Sequence, residues 1–162
     1  MAAANTYVAI SPSYTLASTA TSITFSSIPA TYTDLVLVCN PKEGGGDLVW
    51  AQVNGDTGAN YSDTVIYGNG TTATSTRHSA VNWIYAFLTS DTANKNATLH
   101  FMNYANTTTN KTVLVRSNST SDYVQASVHL WRSTSAISSI LLSAQGTFAI
   151  GSTFALYGIL AA

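Results

Sequence analysis

The sequence predicts an all-β fold, in the form of one antiparallel sandwich or barrel that spans residues 1–162. Composition is the first reason: 24 Thr favour strands, while 20 Ser and 12 Asn favour turns. Helix-forming charged residues are scarce, with Glu43 the one glutamate. The third reason is spacing, because about ten short apolar or alternating segments recur roughly every 8 to 12 residues with turn residues between them.

Prolines and glycine-rich turns divide the first half of the chain into short strands. Pro12, Pro29 and Pro41 each follow an apolar segment, and proline ends strand pairing because it lacks an N–H group. Gly and Asn are concentrated at 43–47 and 54–63, which indicates turns. The strands predicted between these breaks are 6–10, 21–28, 34–40, 48–54 and 63–70, with 71–79 a polar loop or an edge strand.

Alternation of side chains defines the strands of the second half. Residues 80–89 are the best helix candidate, but their β-branched and aromatic content favours a strand. Residues 97–104 place Leu99 and Phe101 on one side, and a further strand follows at 111–117. Residues 124–131 show the clearest alternation in the chain: Val124, Ala126, Val128 and Leu130 lie on one side, and Gln125, Ser127, His129 and Trp131 lie on the other.

The C-terminal segment 130–160 is apolar but unsuited to a membrane. It has no acid or base after Arg132, yet Ser, Thr and Gly divide it into the pieces AISSILLS, TFAI and STFALYGIL. None of these approaches the roughly 18 consecutive apolar residues of a transmembrane helix. The last piece has apolar residues on both parities, with Tyr157 on one of them, so we expect a strand in the middle of a sheet that touches a loop or a neighbouring subunit on its outer side.

The charge pattern argues against a nucleic-acid or membrane partner. Asp, Glu, Lys and Arg make up 8% of the chain, the formal net charge is −1, and the six basic residues form no cluster. So few charges leave little repulsion between copies, which suits a protein that works in an assembly. Cys39 is the single cysteine, so we expect a buried small apolar side chain and no intrachain disulfide.

No catalytic or metal-binding pattern stands out, so we predict no enzyme activity, no cofactor and no metal. There is no G-x-S-x-G motif, and the three histidines are far apart in the sequence. Asn54, Asp56 and Asn60 have a calcium-like spacing, but no closing glutamate follows. Side-chain to backbone bonds that hold a turn explain them better.

Aromatic residues suggest the contact sites. Trp50, Trp83 and Trp131 could stack on sugars, although tryptophans in β-domains usually lie in the core or in a subunit contact. Trp131 shares the more polar side of its strand, so it is the tryptophan expected at the surface. The candidate interface or ligand residues are therefore Trp131, Tyr157, Asn60 and Tyr61.

Four segments resemble a family of small virion proteins of tailed bacteriophages. They are TFSSIPATYTDLVLV, VNGDTGANYS, YANTTTNKTV and LWRSTSAISSILLSAQGTFAIGSTFALYGI, in this order, between about Thr24 and Leu160. The resemblance implies a jelly-roll-like sandwich, which the strand count also favours. It further implies a protein carried on the phage particle as a homotrimer.

We therefore expect a capsid decoration (cement) protein, made in the host cytoplasm, that bridges subunits of the major capsid protein on the outer surface of the virion. Residues 1–8 could form an arm that grips the capsid or a neighbouring subunit; otherwise they are a first strand with a frayed end. The alternative function is a tail-fibre or spike domain whose loop aromatic residues contact host glycans.

Overall fold

The computed structural model describes residues 6–42, 48–88, 95–119 and 124–160. Within these ranges the chain forms strands and no helix, which confirms the predicted all-β class. The strands are β1 (Tyr7–Ala9), β2 (Tyr14–Thr15), β3 (Ala20–Phe25), β4 (Asp34–Asn40), β5 (Leu48–Val53), β6 (Tyr61–Gly68), β7 (Ala73–Val81), β8 (Ile84–Leu88), β9 (Lys95–Met102), β10 (Lys111–Ser119), β11 (Val124–Trp131), β12 (Ile140–Phe148) and β13 (Thr153–Ile159).

Two antiparallel sheets of unequal size form the sandwich. The small sheet has the order β3-β12-β5-β8, and the large sheet has the order β1-β13-β4-β9-β10-β11-β6-β7, with β2 also paired to β13. From β3 to β12 the chain crosses between the sheets in the manner of an eight-stranded jelly roll. The hairpin β10–β11 lies between β9 and β6 and widens the middle of the large sheet. Strands β13, β1 and β2 extend the large sheet beyond β4. The jelly-roll-like prediction is confirmed.

The core lies where the small sheet covers β13, β4, β9 and β10. Inward side chains of these strands are fully buried, among them Leu37, Leu99 and Phe154. The opposite layer contributes Val49, Ile84 and Leu142 and similar residues, which is the aliphatic packing expected between two sheets. Burial of these side chains supplies most of the free energy that stabilises the fold.

Two segments whose interpretation had an alternative both form strands, as favoured for 80–89 and as one of the two options for 71–79. Residues 84–88, part of the best helix candidate, form β8, which packs across β6, β9, β10 and β11. The polar segment 71–79 lies mostly in β7, the edge strand of the large sheet, and nearly every residue of β7 is exposed on both sides. The predicted turn at 43–47 lies outside the described residues.

The C-terminal pieces are arranged differently from the prediction in one respect. AQG divides the pieces AISSILLS and TFAI in the sequence, but β12 runs through AQG as one strand, with a register shift between Ser143 and Phe148. The predicted position of β13 in the middle of a sheet is confirmed, since it pairs with β1 on one side and β4 on the other. In the candidate arm, Tyr7 and Val8 pair with β13 of the same chain, while residues 1–5 lie outside the described residues.

Candidate interaction surface

Strand β11 faces the opposite way from the prediction. The alternation itself is correct, but Gln125, Ser127, His129 and Trp131 are buried, and Val124 and Val128 are 66% and 51% exposed. The expectation that Trp131 lies at the surface is therefore wrong, because its ring is 3% exposed. On the inner side, Trp131 donates a hydrogen bond to Asp56, and Ser127 and His129 bond to each other.

The outward side chains of β11 belong to an apolar surface that spans four neighbouring strands. Strand register places Leu114 of β10 directly opposite Val128, and Ile66 of β6 opposite Ala126. Ile66 is 58% exposed, Leu114 37% and Met102 of β9 40%. We call Ile66, Met102, Leu114, Val124 and Val128 the outer patch.

Polar and charged side chains share this face with the outer patch, and Arg116 lies opposite Ala126, between Val124 and Val128. Arg77 of β7 and Arg116 of β10 point to the same side as the outer patch, as the pairing with Thr64 and Ala126 shows. Toward the other end of the sheet, the row of Leu114 continues through His100 and Val36 to Tyr157. Tyr157 is half-buried and makes an edge-on contact with Tyr7, with ring centroids 6.4 Å apart.

A polar cluster lies on the inner side of the same strands, directly behind the outer patch. Nδ1 of His78 is 2.8 Å from Oδ1 of Asp63, and Oγ of Ser127 is 2.9 Å from Nε2 of His129. Nδ1 of His129 is 3.6 Å from Oδ2 of Asp63, which is too long for a hydrogen bond. Among the described residues these two atoms have no hydrogen-bond partner.

Burial governs the ionisation of this cluster. Desolvation lowers the pKa of His129 to about 4, and the positive charge of His78 when protonated acts in the same direction. The carboxylate of Asp63 and a hydrogen bond with the backbone of Tyr85 oppose this shift only in part. His129 is therefore neutral at pH 7, although its ring faces the buried side chain of Asp63.

No sequence motif predicts that a serine, a histidine and an aspartate meet here. Ser127, His129 and Asp63 come together because β11 pairs with β6 and sets His129 opposite Asp63. The order of contacts is that of a nucleophile, base and acid. However, Ser127 is 5% and His129 0% exposed, so a substrate carbonyl cannot reach Oγ while the strands remain paired. The arrangement acts as a buried polar network.

Three of the four predicted contact residues lie around Asp56; Asn60 is exposed, whereas Tyr61 and Trp131 are buried. Nε1 of Trp131 donates to Oδ2 of Asp56 at 2.7 Å, and Nδ2 of Asn60 donates to the same carboxylate at 2.9 Å. The ring of Tyr61 is buried and stacks on that of Trp131, with centroids 6.4 Å apart. These contacts fix the loop 54–60 against the end of β11.

The charge state of Asp56 follows from these donors. Burial alone would raise its pKa, but the hydrogen bonds from Trp131, Asn60 and the backbone of Gly58 together lower it below the usual value. Asn54 of the same loop accepts the backbone N–H of Ser138 at 2.8 Å and donates to the carbonyl of Ala136 at 2.8 Å. The residues with calcium-like spacing thus hold loops together, as the alternative interpretation expected.

Two further predictions concern burial and membrane insertion. Cys39 is fully buried in β4, as predicted, and desolvation raises the pKa of its thiol far above the usual value. Within the described ranges, no helix has the length and apolar character needed to cross a bilayer.

A scan against models of protein families finds no match, and no curated protein is significantly similar in sequence.

Proposed function

We propose that the protein is a structural component of a tailed-phage virion, a capsid decoration protein that self-assembles as a homotrimer and bridges subunits of the major capsid protein. The outer patch is the observation that carries this proposal. Five apolar side chains lie exposed on four adjacent strands, while Asp63, Ser127 and His129 are buried on the inner side of β6 and β11. Solvent-exposed apolar patches of this kind mark protein contacts.

A second copy of the chain is the occupant that we propose for the outer patch. The protein has few charges, so copies repel one another little. Strand β7 borders the patch and is exposed on both sides, so a neighbouring copy would also cover a strand that has little packing of its own. An obligate interface of roughly 2,000 Å² or more would extend from the outer patch over β7 and over neighbouring outward-facing residues of the large sheet.

The function would be mechanical. A rigid sandwich that is trimerised through one face can present three equivalent surfaces to the capsid, and each contact adds buried interface area that opposes outward pressure from packaged DNA. No chemical step is required of the buried Ser127, His129 and Asp63 network in such a role.

Mixing the purified protein with undecorated capsids tests the proposal. We expect a trimer that binds at a fixed ratio of copies per capsid and raises the temperature at which the capsids release DNA. A protein that leaves capsids unoccupied at any concentration contradicts the decoration role.

The alternative, a fibre or spike domain that contacts host glycans, ranks second. It requires aromatic side chains at the tip of a loop, and the two best placed ones, Tyr61 and Trp131, are buried. Adhesion to host cells or to their polysaccharide, together with indifference to capsids, would favour this alternative.

A further inference from the structure

A cleft of about 850 Å³ opens at the end of the sandwich away from β7. It lies between β3, the edge strand of the small sheet, and residues 9–16, which run along β13 of the large sheet. Its apolar lining includes Ile10, Leu16, Ile23, Phe25 and Leu156, most of them buried. The cleft therefore exposes part of the core layer to an incoming group.

The unequal size of the two sheets explains why the cleft exists. The large sheet continues past β4 through β13 to β1 and β2, whereas the small sheet stops at β3. One side of β3 pairs with β12, and the other side has no neighbouring strand among the described residues. Alternate N–H and C=O groups of an edge strand point away from the sheet and can pair with another chain.

The edge of β3 has none of the usual protection against such pairing. Lysines, prolines and charged side chains usually guard exposed edges, but Ala20–Phe25 reads ATSITF. Its outward residues Ser22 and Thr24 are exposed. No charged side chain occurs among the described residues that line the cleft.

One buried polar group in the cleft has no partner. Oγ of Ser11 is inaccessible to solvent and makes no hydrogen bond to any described residue. An unsatisfied buried hydroxyl costs free energy, so hydrogen bonding is incomplete in this wall of the cleft.

We propose that the cleft binds an extended, uncharged segment of a partner protein, which adds to β3 as a fifth strand of the small sheet. Backbone hydrogen bonds to β3 would supply affinity, and alternate apolar side chains of the segment would pack on Ile10, Ile23 and Leu156. This inference goes beyond the proposed function, because it concerns a different surface and holds whether or not the outer patch joins copies.

A sugar is a poorer fit for the cleft. Glycan sites combine an exposed aromatic face with planar polar groups, and the described lining contains no carboxylate, amide or guanidinium side chain. Tyr14 is 52% exposed, but Tyr32 packs directly on Gly158, where a Cβ would collide with its ring. The lining suits backbone and aliphatic groups better.

The test uses end-capped octapeptides of alternating Val and Thr, attached to the sensor through a flexible linker. Binding of the protein is measured by biolayer interferometry. A matched peptide has one central Val replaced by Pro, which removes strand pairing. Two protein variants receive the same added charge on opposite edges: Thr24→Lys on β3, and Thr74→Lys on β7 as the control. Both positions are exposed, so both variants should fold, as their melting temperatures will check.

We expect the wild-type protein and Thr74→Lys to bind the Val/Thr peptide, the Pro peptide to bind about tenfold more weakly, and Thr24→Lys to lose at least about tenfold in affinity. Amide hydrogen exchange at residues 20–25 should slow in the presence of the peptide. The proposal is overturned if the Val/Thr peptide does not bind, or if Thr74→Lys loses binding while Thr24→Lys keeps it. It is also overturned if the protein binds oligosaccharides on an array but not the peptides, and Thr24→Lys abolishes the oligosaccharide binding.

Discussion

The two halves of the large sheet differ in which side chains face inward and which face outward. In β13, β4 and β9 the inward side chains are mostly aliphatic or aromatic, with Cys39 and Lys95 as the exceptions, and they face the small sheet. In β11 and β6 the polar residues Ser127, His129 and Asp63 face inward beside Tyr61, Val65 and Trp131. The exposed apolar side chains of these strands are Ile66, Val124 and Val128. The first half is built as the core of a single chain. The second half exposes apolar side chains on its outer side, as a sheet does that packs against another surface. The neighbouring strand β7 is exposed on both sides.

The largest difference in the free energy of unfolding is expected between truncations of one leucine in each half of the large sheet. Leu99→Ala removes a fully buried side chain of β9 and should lower the free energy of unfolding by about 3 kcal/mol, the size expected for a core cavity. Leu114→Ala makes the same change on the outer side of β10, where the side chain is 37% exposed, and should cost below about 1 kcal/mol in the monomer. Urea denaturation at low protein concentration measures both. Equal losses would mean that the outer side is packed within one chain.

Acidification should lower the free energy of unfolding through a buried group in the second half of the large sheet. The folded pKa of His129, about 4, lies below its unfolded value near 6.5, so the unfolded chain binds more protons between these values. Its contribution is complete above pH 6.5 and is lost as the pH falls toward 4, by about 3 kcal/mol in all. Denaturation of the wild-type protein and of His129→Gln at pH 7.5 and pH 4.5 isolates this term, because the variant should have a flatter pH dependence. An NMR titration that places the His129 ring near pH 6.5 would contradict the explanation.

A moderate effect is expected at Asp56, where the second half is joined to the loop 54–60. Asp56→Ala leaves Nε1 of the buried Trp131 without its acceptor and should destabilise the fold by about 1 to 2 kcal/mol. Asp56→Asn retains an acceptor oxygen and should recover much of that loss. Tryptophan fluorescence during thermal unfolding reports both, and an Asp56→Ala variant as stable as the wild type would show that the contact with Trp131 contributes little.

The smallest effect on folding should follow Val128→Thr on the outer patch. Val128 is 51% exposed, and threonine has nearly the same shape and a similar preference for strands. The free energy of unfolding of the monomer should change by less than about 0.5 kcal/mol. Self-association should nevertheless weaken, because a hydroxyl would enter an apolar contact. Sedimentation velocity across a range of concentrations separates these two quantities.

Much of the fold could be predicted because side-chain alternation and turn residues are local signals. The predicted strand 34–40 coincides with β4, and the sides assigned to Leu99 and Phe101 are correct. Alternation does not reveal which side of a strand faces inward, however. In β11 the choice depends on β6, which brings Asp63 opposite His129, and on Asp56, which accepts the Trp131 N–H. A tryptophan that shares one side with His129 and Ser127 was the signal for a buried polar cluster, and composition alone could not distinguish it from an exposed side.

The position of the outer patch could not be derived from the sequence for a related reason. Ile66, Leu114 and Val128 come from three strands that are separated along the chain, and only the pairing of β10 with β11 and of β11 with β6 brings them together. Tyr157 was the one predicted contact residue that lies on the same face, and it is several strands away from Val128. The cleft beside β3 likewise depends on the unequal extent of the two sheets, which no local pattern encodes.

Mass by light scattering tests the central claim, that the outer patch joins copies of the chain. The comparison is between the wild-type protein and a variant with Ile66→Ser and Val128→Ser, two exposed positions whose change should leave the monomer folded. We expect the wild type at three times the chain mass of 17.0 kDa and the variant at one times that mass, with similar far-UV circular dichroism. A wild-type protein that is monomeric at every concentration, or a variant that assembles as well as the wild type, would contradict the claim.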